Sequence, residues 1–532
     1  MSSEATTLPA PDAALGARRG ERLRRTLRPR TGALSGTRGQ SVPVTVALTL
    51  IVVLSLVLVV MAADRPSGLS PTTHTNYYPG WMAGPFGGLW PGLTSNGSTL
   101  RYLFTAGLVA MFVCYLVLLR NAAQLSARWV LAAIGCVHVI FLLAPPLALT
   151  DVFNYINYGR MEVVHHLNPY TTIPIVEPHS DPSFILSNWH LLLSPYGPLF
   201  TMLTFVVVPL GLAGSFWALK GVLMLASLAT IALVWRCARL LGRDPVAAVT
   251  LVGLNPIVLV WGLGGDHNDF LMMLFIVTGV YLLLLAREHE RVRERDRAAG
   301  REGERPRSGR AAAIARWRDW LLPLSAVEIA AGGAFVTAAA FKASGAILIP
   351  VVLAGLLRRP RAFVQVLIGM VAAGVVLGAA SLVAFGLHIP DLSTQSRLVT
   401  GESIPNLLGL AVGAGGETLT LHTIMTAALG LVVVLCCVQA YRRRDPITAC
   451  GWASVALLVT LSWVLPWYVL WVLPLAALSS SRRLRGAAVA LGVYLIIAWA
   501  PASGLLWNAI GFHPERTTLG KLHQRYVREL LE

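Results

Sequence analysis

Leu199-Phe-Thr-Met-Leu-Thr-Phe-Val-Val-Val-Pro-Leu-Gly-Leu212 is almost wholly apolar, yet it holds only 14 residues. A helix that crosses a bilayer needs about 20. Counted as a crossing, this run places Arg236, Arg239 and Arg243 outside the cell. It also inverts the basic loops Arg287–Asp319, Arg358–Arg361, Arg442–Arg444 and Arg482–Arg485. Counted as a membrane-parallel or re-entrant piece, it leaves all of them cytoplasmic, as the excess of Lys and Arg in inner loops requires. We therefore read it as part of an outer segment.

The remaining apolar runs fall into line around that choice. Val42–Ala63, too long for a signal-peptide core, runs outward to a Gly-, Pro- and Trp-rich loop, and Tyr102–Leu119 returns. Trp129–Thr150 runs out to Asp151, and after the outer segment 151–214 the run Ser215–Trp235 comes back in. Val246–Leu263, Phe270–Ala286, Leu321–Phe341, Ala346–Leu357, Phe363–Phe385, Leu419–Tyr441, Ile447–Leu465, Trp467–Leu478 and Ala487–Ala500 then alternate. The expected fold is all-α and polytopic, with about 13 crossings. Its domains are a disordered basic cytoplasmic tail (1–41), a membrane domain (42–501) with an inner basic loop (287–319), and an extracytoplasmic C-terminal tail (502–532).

Composition agrees. Of 532 residues 55% are hydrophobic and 13% charged, with mean hydropathy +0.65. Soluble chains carry about 25% charged residues, so a soluble enzyme and a disordered regulator are both excluded. The net charge of +17 sits between apolar runs, a pattern of inner loops and not of a nucleic-acid groove. The six cysteines lie in or beside apolar runs without metal-ligand spacing.

Polar residues collect on the outer side. In Asp151-Val-Phe-Asn-Tyr-Ile-Asn-Tyr-Gly-Arg-Met-Glu162, helical spacing puts Asp151, Tyr155, Tyr158 and Glu162 on one face. Asp151 reads equally as a helix cap and as a general base in a surface cleft. Gly264-Gly-Asp-His-Asn-Asp269 closes one run and opens the next. One cap residue would suffice there, so Asp266, His267, Asn268 and Asp269 exceed that need, although their order fits no standard metal set. Lysine occurs only at 220, 342 and 521, and Lys342 lies among small residues in Phe341-Lys-Ala-Ser-Gly345. It is either a snorkelling anchor or an anion ligand. In Leu465-Pro-Trp-Tyr-Val-Leu-Trp471, Trp467 and Tyr468 are either belt residues or a platform for a sugar. Glu328 lies about 20 Å of helix below Lys342, too far to pair with it.

Asp151-x3-Tyr155-x2-Tyr158-Gly-Arg160, followed by Asn168-Pro-Tyr170 and Ser194-Pro-Tyr-Gly-Pro-Leu199, resembles the first catalytic outer loop of the GT-C glycosyltransferases. With Asn255-Pro256, Gly264–Asp269, Lys342–Gly345 and Pro466-Trp-Tyr468, the chain from about residue 100 onward is most similar to the polyprenyl-phosphomannose-dependent α-1,6-mannosyltransferases of the actinobacterial envelope. Many GT-C enzymes place the catalytic Asp after their first span, whereas here two extra N-terminal runs precede it. The resemblance implies mannosyl transfer from polyprenyl phosphomannose to a growing α-1,6-mannan of the lipomannan or lipoarabinomannan type, on the outer face of the cytoplasmic membrane. It implies single-step inversion with Asp151 as base, and Lys342, Arg160 or Arg397 on the donor phosphate. Tyr155, Tyr158, Asp266, His267, Asn268, Asp269, Trp467 and Tyr468 would hold sugar or acceptor, with no metal and no other cofactor. The partners are then a lipid-linked donor, a glycan acceptor and membrane lipids, not nucleic acid. An arabinofuranosyl donor, or a lipid-linked sugar transporter, fits the same composition.

Overall fold

The computed structural model describes residues 41–64, 79–90, 92, 97–147, 151–300 and 325–531. The tail 1–40, much of the first outer loop and the stretch 301–319 of the basic loop lie outside the described residues. Among those described, every regular element is helical.

The long helices are α1 (Val42–Asp64), α2 (Gly97–Arg120) and α3 (Ala127–Leu142). Next come α4 (Asp151–His165), α5 (Pro198–Val207), α6 (Gly211–Leu240), α7 (Pro245–Gly253) and α8 (Asp269–Gly300). There follow α9 (Ala326–Phe341), α10 (Leu348–Leu356), α11 (Pro360–Phe385), α12 (Leu419–Arg443), α13 (Pro446–Thr460), α14 (Arg482–Trp499) and α15 (Thr518–Leu531).

Among the described residues six helical stretches are long and apolar enough to cross a membrane, and a seventh if α14 and Ser503–Ala509, bent by 74°, form one span. The expected 13 crossings are therefore not confirmed. The other expected runs resolve into shorter helices, such as the 16-residue α3 and α9. Sixteen residues rise about 24 Å, short of a hydrocarbon core of about 30 Å. Prolines divide several of these runs. Val246–Leu263 becomes α7 and a short π-helical turn at Val258–Leu263, and Trp467–Leu478 becomes a 3₁₀ segment, Pro466–Trp471, and Leu473–Leu478.

The pivotal run 199–212 belongs to the longest of the six stretches, Pro198–Leu240, but the backbone breaks within it, between α5 and α6. After α5 the chain tightens into a 3₁₀ turn, Val208–Leu210, and breaks at Gly211 with φ 72° and ψ 178°. Pro209 and a glycine free to take positive φ supply that break. Behind it, the Ser215 hydroxyl donates to the carbonyls of Val207 and Gly211, fixing the corner.

The bundle is held by apolar packing and by close backbone approach. A Cβ on Gly332 of α9 would sit 1.9 Å from the Val366 carbonyl oxygen of α11, and one on Gly369 would sit 1.8 Å from that of Ile329. Facing glycines let these two helices touch, as small residues do at membrane helix crossings. One apolar core runs through nearly the whole bundle, from α1 to α14.

Candidate active site

The start of α4, the residues that follow α9 and the 3₁₀ segment Pro466–Trp471 converge on a cavity of about 730 Å³. Asp151, Lys342, Tyr196, Trp467, Tyr468 and Trp471 line it, along with Trp189, Trp463, Trp499 and His422. The wall is therefore largely apolar and rich in Trp and Tyr, with one carboxylate and one ammonium in it. Asp151 retains 17% of its side-chain exposure and Lys342 21%.

Asp151 is the first residue of α4. Among the described residues no backbone N–H bonds its carboxylate, so capping is not the role its geometry displays. Instead Oδ2 lies 3.4 Å from Nδ1 of His267. The imidazole is buried and stacked on the indole of Trp467, with centroids 3.4 Å apart and planes 10° from parallel. Burial lowers the His267 pKa, opposed chiefly by Asp151, which keeps the ring neutral near pH 7. Among the described residues neither ring nitrogen meets a hydrogen-bond partner, so the imidazole backs Asp151 as a close neighbour and leaves its carboxylate open to the cavity.

Lys342 sits in an extended turn between α9 and the 3₁₀ segment Ala343–Ile347, where its Nζ donates to both oxygens of Asp269 at 2.9 and 2.8 Å. Asp269 is fully buried and also accepts from Nε1 of Trp471. The ammonium lies over the rings of Tyr468 and Trp471, 4.9 and 5.5 Å from their centroids. Two of its three N–H groups are committed to Asp269. The third is available to an anion in the cavity, with its charge moderated by the carboxylate behind it.

Other expected ligands stand elsewhere. Asp266 does not line the cavity. It takes a left-handed φ of 57° and pairs, buried, with Lys220 of α6 at 3.1 Å. Asn268 is likewise buried away from the cavity, its backbone N–H 3.5 Å from the Tyr155 hydroxyl. Tyr155 packs edge-on against Tyr196 and Phe200, and Tyr158 donates to the Leu192 carbonyl. Burial, with the Asp151 charge added, pushes the phenols of Tyr155, Tyr158 and Tyr196 well above the usual range. All three are neutral, but only Tyr196 lines the cavity, and Tyr155 and Tyr158, expected to hold sugar or acceptor, are buried outside its lining.

Arg160, expected on the donor phosphate, is turned away. Its guanidinium grips Asp181 through Nε and Nη2 at 2.8–3.0 Å, and His165 approaches the same carboxylate at 2.8 Å. The cluster braces the outer loop against α4. Arg397 is exposed at the rim, between the lining residues Ser396 and Leu398.

Sequence reasoning missed part of the wall. The C-terminal helix α15 contributes Val527 and Leu531 to the lining. It is tied down by a bond from the Leu191 N–H to the Leu530 carbonyl and by the Tyr526 hydroxyl on Thr394. Its signal was the spacing Leu519, His523, Tyr526, Leu530, a helical stripe opposite Lys521, Arg525 and Arg528. Ser462 and His422 were also unforeseen, and both reach Glu417, at 2.6 and 3.1 Å. Among the described residues no group of three or more His, Cys, Asp or Glu side chains is arranged to hold a metal ion.

A family model described as alpha-(1->6)-mannopyranosyltransferase, N-terminal domain, matches residues 53–358, and one described as MptB C-terminal domain matches residues 399–512. Alpha-(1->6)-mannopyranosyltransferase A of Mycobacterium tuberculosis is 26% identical over 68% of this chain and 67% of its own length. A probable alpha-(1->6)-mannopyranosyltransferase of Mycolicibacterium smegmatis is 27% identical over 69% and 68%. Alpha-(1->6)-mannopyranosyltransferase A of Corynebacterium glutamicum is 30% identical over 28% and 31%. No solved structure matches the chain.

Proposed function

This chain belongs to the alpha-(1->6)-mannopyranosyltransferase family and is a membrane hexosyltransferase, and we propose that it moves mannose from polyprenyl phosphomannose onto an α-1,6-mannan acceptor in the Asp151 cavity. The observation that carries this reading is one carboxylate and one ammonium in the wall of a single cavity rich in Trp and Tyr.

In the proposed reaction the acceptor hydroxyl attacks the anomeric carbon as its proton passes to Asp151. The bond from that carbon to the phosphate oxygen breaks, and the electron pair leaves with the polyprenyl phosphate. A single carboxylate acting as base suits one-step inversion, whereas double displacement needs a second carboxylate about 5 Å away as nucleophile. Asp269 is buried beneath Lys342, and is unsuited to that second role. The free N–H of Lys342 stabilises the departing phosphate, and Trp467 and Tyr468 stack on the sugar faces. No metal enters this scheme. The cavity would open on the outer leaflet, where the polyprenyl tail remains in lipid.

The test is transfer in detergent from synthetic polyprenyl phosphomannose to a short α-1,6-mannoside, with polyprenyl phosphoarabinose as the competing donor. Elongation of the mannoside by mannose with inverted configuration is expected. Transfer of arabinose alone, or an acceptor left unchanged, overturns the proposal.

A further inference from the structure

A second cavity, of about 180 Å³, lies at the other end of the bundle. Arg287 follows Asp269 by 18 residues along α8, which is about 27 Å of helix. One side of the cavity is apolar, made by Val280, Leu283 and Leu284 of α8, Phe335 of α9, and Val352 and Leu356 of α10. The other side presents Arg243 before α7, Arg287 of α8 and Arg444 after α12.

Among the described residues none of these three guanidiniums forms an ion pair. Nη1 of Arg243 is buried without a hydrogen-bond partner. The one acid in the lining, Asp445, is already engaged: it caps α13 through the Thr448 N–H at 3.1 Å and accepts from the Thr448 hydroxyl at 2.7 Å. Burial disfavours the charges of Arg243 and Arg287; Arg485 adds to this at Arg243, and Arg359 and Arg291 at Arg287, while Asp445 favours both charges and Glu290 that of Arg287, so the acids offset the excess of arginines only in part. Burying an arginine nitrogen unpaired beside like charges is costly. A protein that keeps such an arrangement next to an apolar wall has made a receptor for an anion with an apolar tail.

We propose that this cavity binds an anionic phospholipid. Its phosphate sits among Arg243, Arg287 and Arg444, and its first methylene groups lie along Leu283, Leu284 and Leu356. The volume accommodates a phosphodiester and the start of a chain, and the tails continue into the membrane alongside. Basic pockets between membrane helices are suited to such head groups. Arg243 and Arg287 fall in the region matched by the N-terminal family model and Arg444 in that matched by the C-terminal one. One bound phosphate would therefore clamp the two regions together at the end remote from Asp151, independently of which donor the enzyme uses.

Native mass spectrometry of the full chain, exchanged into equal amounts of phosphatidylglycerol and phosphatidylcholine, tests this. Retention of one phosphatidylglycerol per chain is expected, with a higher unfolding temperature in that lipid than in phosphatidylcholine alone. At about the strength usual for basic residues beside an anionic surface, removing three of them should lower the preference by roughly 100-fold. The variant R243Q/R287Q/R444Q should therefore bind both lipids alike. Statistical retention of the two lipids by the unaltered protein overturns the proposal whether or not the variant folds. So does equal protection by millimolar inorganic phosphate, which would mark a plain anion site, and so does an undiminished preference in the variant.

Discussion

At the residue scale the site rests on two side chains whose partners differ in kind. Asp151 has a neutral imidazole behind it and the cavity in front. Asp151→Asn conserves volume and removes the proton acceptor. Loss of a general base typically slows a reaction by about 10²–10⁴, so the variant should fold, bind donor and transfer mannose at least about 100 times more slowly. Turnover within a few-fold of the unaltered enzyme at saturating donor would remove Asp151 from the chemistry. Lys342 is harder to probe, because Asp269 is fully buried beneath it. Lys342→Met strands that carboxylate, and breaking one side of a buried pair costs about 3–5 kcal/mol. A fall in activity would then mix misfolding with lost phosphate binding. The double variant Lys342→Met/Asp269→Asn separates the two, since the amide oxygen can still accept from Trp471. We expect it to regain most of the lost thermal stability while the apparent KM for donor stays elevated. A donor KM restored along with stability would return Lys342 to a structural role.

At the scale of elements, the segment 166–197 that follows α4 is tied down by a cluster of polar groups. Asp181 receives Arg160, His165 and the Ser183 N–H, contacts that hold its carboxyl well below the usual range. Glu177 nearby is buried, and desolvation pushes it from 4.5 to about 8, with Asp181 adding to the rise. A carboxyl whose folded value is raised binds its proton more tightly folded than unfolded. It therefore stabilises the fold fully below about pH 4.5, and that contribution fades as pH climbs through about 8. The unfolding temperature should fall between pH 5 and pH 9, and Glu177→Gln should flatten that slope. A slope unchanged in the variant would assign it to another group. The same segment shows what the sequence made legible. Asp151 and Lys342 could be placed because each stands at the end of an apolar run, and Trp467 and Tyr468 because they follow the proline between two such runs, all local properties. Arg160 and Asp266 could not, because their fates depend on Asp181, 21 positions away, and Lys220, 46 positions away. The break at Gly211 was visible in Pro209 and the glycine. Helix count was not, since apolar composition does not reveal where a proline will end a helix.

For the whole molecule, charge and cavity divide between two ends. The arginines around the small cavity come from the ends of α6 and α12, the middle of α8 and the start of α14, segments distant in sequence that the fold gathers into one basic rim. Arg359 joins them through Glu290 and Glu328. Asp151, Lys342 and the aromatic wall stand at the other end, where α15 and the outer segment close over them. A basic rim of this kind belongs on the cytoplasmic side, which would put the Asp151 cavity outside. Labelling with an impermeant thiol reagent in intact cells tests that orientation. Asp151 and His267 are too buried to report it, whereas Thr171 and Arg443 are exposed. On a background with Cys136→Ser and Cys437→Ser, which removes the thiols not already buried, Thr171→Cys should label in whole cells. Arg443→Cys should label only after the membrane is opened. The reverse pattern would place the proposed transfer on the inner face, where the basic rim could no longer meet the anionic inner leaflet.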